Sequence, residues 1–242
     1  MAAADAGEKR DELVARALQS LDAKGVAAAI STIKSSGDVK EARAAFADLV
    51  KSLYESRKDV ANMILVGEAA VVFCLDHAKA ATSPETGEQL KKTAKAMAYN
   101  VAANCWPGWG DEGVQIAPDQ VQSGLSLANL SRDLVRELRL GHEEEGTAHW
   151  LVGALELAAG RQGEALSDFE SSRQSFEAGG FPALRLLAEG YCAIARKAEP
   201  ATASSGAQEL AAALDQLHKM DLAAASAFAD QLVVADRILV PG

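Results

Sequence analysis

Cysteine is scarce in this sequence of 242 residues, and the three cysteines, Cys74, Cys105 and Cys192, lie far apart. An odd number without close spacing is atypical of a disulfide framework or a Cys-x-x-Cys metal site. Reduced thiols are usual in cytosolic proteins, so we expect a cytoplasmic protein. The first twelve residues, MAAADAGEKRDE, contain early acidic residues and no apolar segment, which disfavours a secretory signal.

Basic clusters and long hydrophobic runs are also lacking. The formal net charge is -10, and the densest basic stretch is the short QLKKTAK. Nucleic acids and anionic membrane surfaces both attract proteins through clustered Lys and Arg, so the composition disfavours both as partners. The apolar run AAVVFCL is too short to span a bilayer.

Known catalytic motifs are missing as well. The sequence has no glycine-rich phosphate loop with its lysine, no Gly-x-Ser-x-Gly elbow and no His-Glu-x-x-His. Cys105 is predicted at a helix C-terminus, where the helix dipole disfavours a thiolate. Cys74 and His77 have the spacing of half a metal site, but Cys74 lies in an apolar run that favours burial. We therefore expect no catalytic residue, metal or cofactor.

The segment GHEEEGTAH contains His142, three glutamates and His149. Such a group suits acid–base or metal chemistry. An acidic first turn of a helix explains the glutamates equally well, because the N-terminal end of the helix dipole favours negative charge. We interpret the segment as a helix start.

Helical periodicity is what the sequence has in abundance. Hydrophobic residues make up 49% of the chain, there are six prolines, and no run alternates as a strand would. The pattern predicts about ten helices in antiparallel pairs. Gly25 is a predicted break, Asp38 a predicted N-cap, and Ser83 before Pro84 a helix start. Pro107 predicts that the preceding helix stops by Trp106.

The segment NCWPGWGDEG is the one stretch that does not resemble ordinary helix. Pro107 and Gly108 provide the fixed and the permissive backbone that a sharp reversal needs. Trp106 and Trp109 around them suit either a packed corner or an aromatic ligand clamp. We favour the packed corner.

The segment AHWLVGALELAAGRQGEALSDFESSRQSFEAGG resembles a tetratricopeptide repeat. Gly153, Gly160, Ala165 and Phe169 stand where that motif has a small residue, a turn glycine, a packing alanine and an aromatic residue. Small residues at 153 and 165 would let two helices cross closely, and Phe169 would fill the gap toward the next pair. His149 occupies the position of the family's tryptophan.

The resemblance implies an all-α fold of antiparallel helix pairs in one right-handed superhelix, with residues 1–242 as a single domain. The clearest repeat is expected at residues 146–180. Degenerate helix pairs are expected at 38–80, 85–140 and 182–220, and a C-terminal capping helix at 221–239.

In such arrays the first helix of each pair lines a concave face. The repeat offsets place Trp150 and Tyr191 on it, and Lys92, Lys95 and Tyr99 by a weaker alignment. The function implied is non-catalytic binding of a protein or peptide, as an adaptor or scaffold. The alternatives are a small-molecule sensor with a pocket closed by Trp106, Trp109 and Trp150, and an enzyme that uses Cys105 or Cys74.

Overall fold

Local start and stop signals along the chain produce a wholly helical fold. The computed structural model describes residues 2–240, without the side chains of residues 2–6 and 8. Within these residues there are eleven α-helices, one 3-10 turn and no strand. The helices are α1 Ala2–Lys24, α2 Val26–Lys34, α3 Val39–Glu55, α4 Val60–Lys79, α5 Pro84–Asn104, α6 Pro118–Leu138, α7 His142–Ala158, α8 Gln162–Gly179, α9 Pro182–Lys197, α10 Ala203–Lys219 and α11 Ala223–Leu239. The 3-10 turn is Pro107–Trp109.

The predicted helix signals are confirmed one by one. Gly25 separates α1 from α2 with φ of 86°, a backbone conformation that glycine adopts most readily. The Asp38 carboxylate caps α3 by accepting hydrogen bonds from the backbone N–H groups of Lys40 and Glu41, at 2.7 and 3.0 Å. Ser83 Oγ accepts the N–H of Thr86 at 3.1 Å and so caps α5.

The helices group into two compact units, residues 1–101 and 102–242, and the border falls inside α5. In the first unit α1 packs on α2 and α3, and α3 packs on α4. Gly67 brings α4 close to α5, because a Cβ there would lie 2.4 Å from a methyl group of Val101.

The second unit is a series of helices in which each packs on the next, from α6 to α11. The final helix also turns back to contact α9 and the 3-10 turn. The predicted C-terminal helix is therefore present, and it packs on two elements that precede it by many residues.

The close packing expected around Gly153 is present between α7 and α8. A Cβ at Gly153 would lie 2.9 Å from the ring of Phe169 and 3.0 Å from the carbonyl oxygen of Ala165. α7 and α8 can therefore cross closely only with glycine at 153. Phe169 then stacks on Tyr191 of the next helix pair, with ring centroids 5.3 Å apart.

Gly206 lies at a similar crossing, and its replacement tests how close that crossing is. A Cβ at Gly206 would lie 2.4 Å from the backbone nitrogen of Lys197, which cannot move aside as a side chain can. We expect Gly206→Ala to lower the free energy of unfolding by about 2–3 kcal/mol, measured from urea denaturation midpoints. Gly163→Ala is the control, because no atom lies within 4 Å of its added methyl group. It should be neutral or stabilise by up to about 1 kcal/mol; equal losses in both variants would contradict the close crossing.

Candidate functional site

The Trp-Pro-Gly-Trp segment forms a tight corner directly after α5. α5 ends at Asn104, and Trp106 adopts an extended conformation ahead of the 3-10 turn, as expected for a residue before proline. The indole N–H of Trp109 donates to the carbonyl oxygen of Ala103 at 2.8 Å. This bond satisfies one of the carbonyl groups that a helix end leaves without an intrahelical partner.

The tryptophan side chains at this corner pack against aromatic rings from α7 and α9. The centroid of the Trp106 ring lies 4.7 Å from that of Trp109, 5.6 Å from that of Trp150 and 5.9 Å from that of Tyr191. Trp106 is only 1% exposed. The rings therefore contact one another, and Trp106 and Trp150 are buried.

Helix α11 covers the aromatic cluster from the other side. The side-chain amide of Gln231 donates to the Tyr191 hydroxyl at 2.8 Å, and Leu232 packs on Gly190. Lys197 Nζ bonds both carboxylate oxygens of Asp236, at 2.7 and 2.8 Å, and so ties α9 to α11.

This packing corrects the expectation for the concave-face aromatics. Trp150 is 6% exposed and Tyr191 is fully buried, so neither side chain is available on an open face. The two residues do lie together, with ring centroids 5.6 Å apart. α11 and the tryptophan corner pack against these two rings.

The three residues predicted on α5 belong to the other unit and make local contacts there. Lys92 Nζ pairs with a carboxylate oxygen of Glu88 at 2.7 Å. Lys95 Nζ lies 5.5 Å from the centroid of the Tyr99 ring, a cation–π distance. These contacts stabilise the surface of α5.

The three thiols are buried in the helical core. Burial raises the pKa of Cys74 to about 11, and burial followed by the negative charge of Glu170 raises the pKa of Cys192 to about 12. Cys105 is fully buried, and His77 contacts the ring of Phe73. Among the residues that the structure describes, no three His, Cys, Asp or Glu side chains come together as metal ligands would.

A polar network that the sequence analysis missed joins α6, α7 and α8. His149 Nδ1 lies 2.5 Å from a carboxylate oxygen of Asp168, which also accepts from Arg132 at 2.9 Å. Arg136 donates to His149 Nε2 at 3.2 Å. Because arginine only donates, Nε2 is the acceptor and Nδ1 carries the hydrogen that bonds Asp168.

Glu156 lies two turns after His149 on α7, and its carboxyl group is strongly perturbed. Burial, and then the negative charge of Asp168, raise its pKa to about 7. Its Oε2 atom is buried without a hydrogen-bond partner, as are two guanidinium nitrogens of Arg161. Only the seven-residue spacing on one helix face could have linked His149 and Glu156 in advance.

An open cavity with charged walls lies between α8, α9 and α10 in the second unit. It encloses about 370 Å³ and has Cys192 and Ala213, both buried, at its base. Its walls carry three carboxylates, two guanidinium groups and one amide, from Glu170, Glu189, Glu209, Arg173, Arg196 and Gln216. We call this cavity the charged cleft.

Ion pairs across helices fix the side chains of the charged cleft. Glu170 accepts from Arg173 and from Arg196, each at 2.9 Å, and Arg196 also donates to Glu209 at 2.6 Å. Burial opposes the ionisation of Glu170, but the two arginines outweigh it and lower its pKa. Glu189 pairs with Arg185 one turn earlier on α9. The walls therefore present oriented charges, in which each of the three carboxylates is paired with at least one arginine.

Comparison with protein-family models, with curated proteins and with solved structures gives no match to this chain.

The burial of the thiols predicts slow chemistry at all three cysteines. In the native protein at pH 7.5 we expect reaction with a disulfide reagent at least a hundredfold slower than in the urea-unfolded chain, because native Cys74 and Cys192 stay protonated and covered. A thiol that reacts as fast in the native protein as in the unfolded chain would contradict this prediction and support the alternative of a cysteine-dependent enzyme.

The raised pKa of Glu156 predicts a stability change with pH. The folded state keeps the Glu156 proton up to about pH 7, whereas the unfolded chain loses it near pH 4.5. The contribution is therefore complete below pH 4.5 and is lost as the pH rises through 7. Relative to wild type, Glu156→Gln should gain about 1–2 kcal/mol in free energy of unfolding between pH 5 and pH 8, a value reduced for partial exposure.

Urea denaturation at both pH values measures this difference. Glu143→Gln is the control, since Glu143 is exposed in the first turn of the same helix. The same pH-dependent gain in both variants would show that the effect is not specific to Glu156.

Proposed function

We propose that this protein is a non-catalytic adaptor that binds a basic segment of a protein partner in the charged cleft. The observation that carries the proposal is the set of three oriented carboxylates, Glu170, Glu189 and Glu209, around an open cavity of about 370 Å³. Electrostatic complementarity of this kind selects a partner and increases its association rate.

The chemistry of the walls suits a peptide better than a lone ion. Glu209 and Gln216 lie seven residues apart on α10, so they share one face along the cleft and offer acceptors and a donor. Arg173 and Arg196 add donors on the facing helices. The peptide backbone needs both hydrogen-bond donors and acceptors, and a Lys or Arg side chain of the peptide would pair with Glu189 or Glu209.

A binding role also agrees with the state of the groups in the cleft. Cys192 is the one nucleophile among the lining residues, and with a pKa of about 12 it remains a thiol at neutral pH. Glu170 is held ionised by two arginines, so it is a poor proton donor. Such groups are suited to recognition, since neither is poised to donate or take a proton or to attack near pH 7.

The proposal includes the tetratricopeptide-like arrangement of helix pairs. It is supported by the close crossing at Gly153 and by the stacking of Phe169 on the next pair. On this view the pairs α7–α8 and α9–α10 are successive repeats, and the charged cleft lies where they meet. The adaptor would act in the cytosol, where three unpaired thiols are stable.

Fluorescence anisotropy with two labelled octapeptides tests the proposal, one alternating Arg with Ala and the other Glu with Ala. We expect the wild-type protein to prefer the Arg peptide. The Glu209→Gln variant should bind the Arg peptide about three- to fivefold more weakly than wild type. The double variant Glu189→Gln, Glu209→Gln should bind it about tenfold more weakly, because an exposed ion pair contributes about 0.5–1 kcal/mol.

Asp215→Asn is the matched control, because Asp215 lies on α10 and pairs with Lys219 but is not part of the cleft wall. It should leave the affinity unchanged. Equal affinity of wild type for the two peptides, or equal losses in Asp215→Asn and Glu209→Gln, would contradict binding in the cleft.

A further inference from the structure

α4 in the first unit has an apolar surface on the side opposite its core contacts. The helix is 20 residues long, and its length and apolar composition would be sufficient to cross a membrane. Only 44% of its most apolar 18-residue stretch is buried in the protein. A helix that is hydrophobic all round normally needs cover on every side. Its core side is covered by the other helices of the unit, and its outer side is not.

The outer side carries a regular seam. Leu65 is 46% exposed, Val72 is 53% exposed, and Ala61 and Ala69 continue the same stripe at spacings of three or four residues. This spacing is the one by which two helices pack along each other. The small alanines allow a second helix to approach closely, and the stripe from residue 61 to residue 76 is about 24 Å long.

Acidic side chains border the seam, and their charge restricts which kind of molecule can bind there. Glu68 is exposed between Leu65 and Val72 and forms no ion pair among the described residues, and the exposed Asp76 pairs with Lys79 at 3.3 Å. Two copies of α4 related by a two-fold axis on this seam would bring their Glu68 carboxylates together, and like charges repel. An anionic lipid surface is disfavoured for the same reason.

From this seam and its border we infer that α4 is a second docking surface, which binds an amphipathic helix of a protein partner. We call it the α4 face, defined by Ala61, Leu65, Glu68, Ala69 and Val72. The partner helix lays a row of large aliphatic side chains on Leu65, Ala69 and Val72, and a Lys or Arg beside that row pairs with Glu68. This inference concerns a different surface from the charged cleft and does not depend on it.

Two synthetic 21-residue helices serve as probes, both with Leu at the two seam positions of each heptad. One has Lys beside the seam and the other has Glu. By isothermal titration calorimetry we expect the Lys peptide to bind the wild-type protein at least fivefold more tightly than the Glu peptide.

Leu65→Ser combined with Val72→Ser should weaken the Lys peptide at least tenfold, because the apolar seam is lost. Val233→Ser is the matched control: Val233 is also 53% exposed but lies on α11 in the other unit, so its replacement should leave the affinity unchanged. Circular dichroism checks that all variants remain helical. Glu68→Lys should reverse the preference, so that the Glu peptide binds more tightly.

Several results would overturn the inference. One is an unchanged affinity for the Lys peptide in the Leu65→Ser, Val72→Ser variant. Another is a larger loss of that affinity in Glu209→Gln than in the double variant, which would place the peptide in the charged cleft. A dimer seen by light scattering that the double variant abolishes would make the occupant a second copy. Cosedimentation with phosphatidylcholine–phosphatidylserine vesicles that requires Leu65 and Val72 would make it a lipid surface.

Discussion

The second unit depends on the burial of one aromatic cluster between helices that are far apart in sequence. Trp106 lies at its centre, between Trp109 of the same corner and Trp150 and Tyr191 of α7 and α9. Burial of large aromatic side chains contributes more to stability per residue than any other apolar packing, and here it joins four separate segments. The corner, α7, α9 and α11 contact one another through these rings.

The burial of these rings leaves them out of any open surface. With the aromatic face closed by α11, the proposed partners would meet charge in the cleft of α8, α9 and α10 and apolar surface on α4. The cleft is built from ion pairs that cross between helices, such as Arg196 with Glu170 and with Glu209. Pairs of this kind contribute little to stability at a surface but fix the direction of each charge, which is what selective binding requires.

The polar network of α6, α7 and α8 has a different character. Arg132 and His149 both bond Asp168, whereas Glu156 and Arg161 keep buried polar atoms without partners. A buried polar atom without a partner costs free energy, and for Glu156 this cost appears as a carboxyl group that stays protonated to about pH 7. We therefore expect the stability of the second unit to change with pH in a range where most carboxylates are fully ionised.

The sequence by itself determined the helices and much of their local packing. Asp38 and Ser83 begin helices, Gly25 and Pro107 interrupt them, and each acts through its own backbone or its nearest neighbours, so each could be recognised in advance. The repeat spacing likewise predicted how Gly153 and Phe169 pack, because the two helices of a hairpin are joined by a short turn and have little freedom.

Only the tertiary structure decided which faces stay open. α11 covers Tyr191, α6 brings Arg132 to Asp168, and among the described residues of the first unit no helix covers Leu65 and Val72. The exposure of a helix face depends on contacts with helices that lie tens of residues away in the sequence. The periodicity of the sequence shows that a face is apolar, but it does not show which helix packs on that face. For that reason Trp150 and Tyr191 were expected on an open face and are buried, while the charged cleft and the α4 face emerged from the packing of helices.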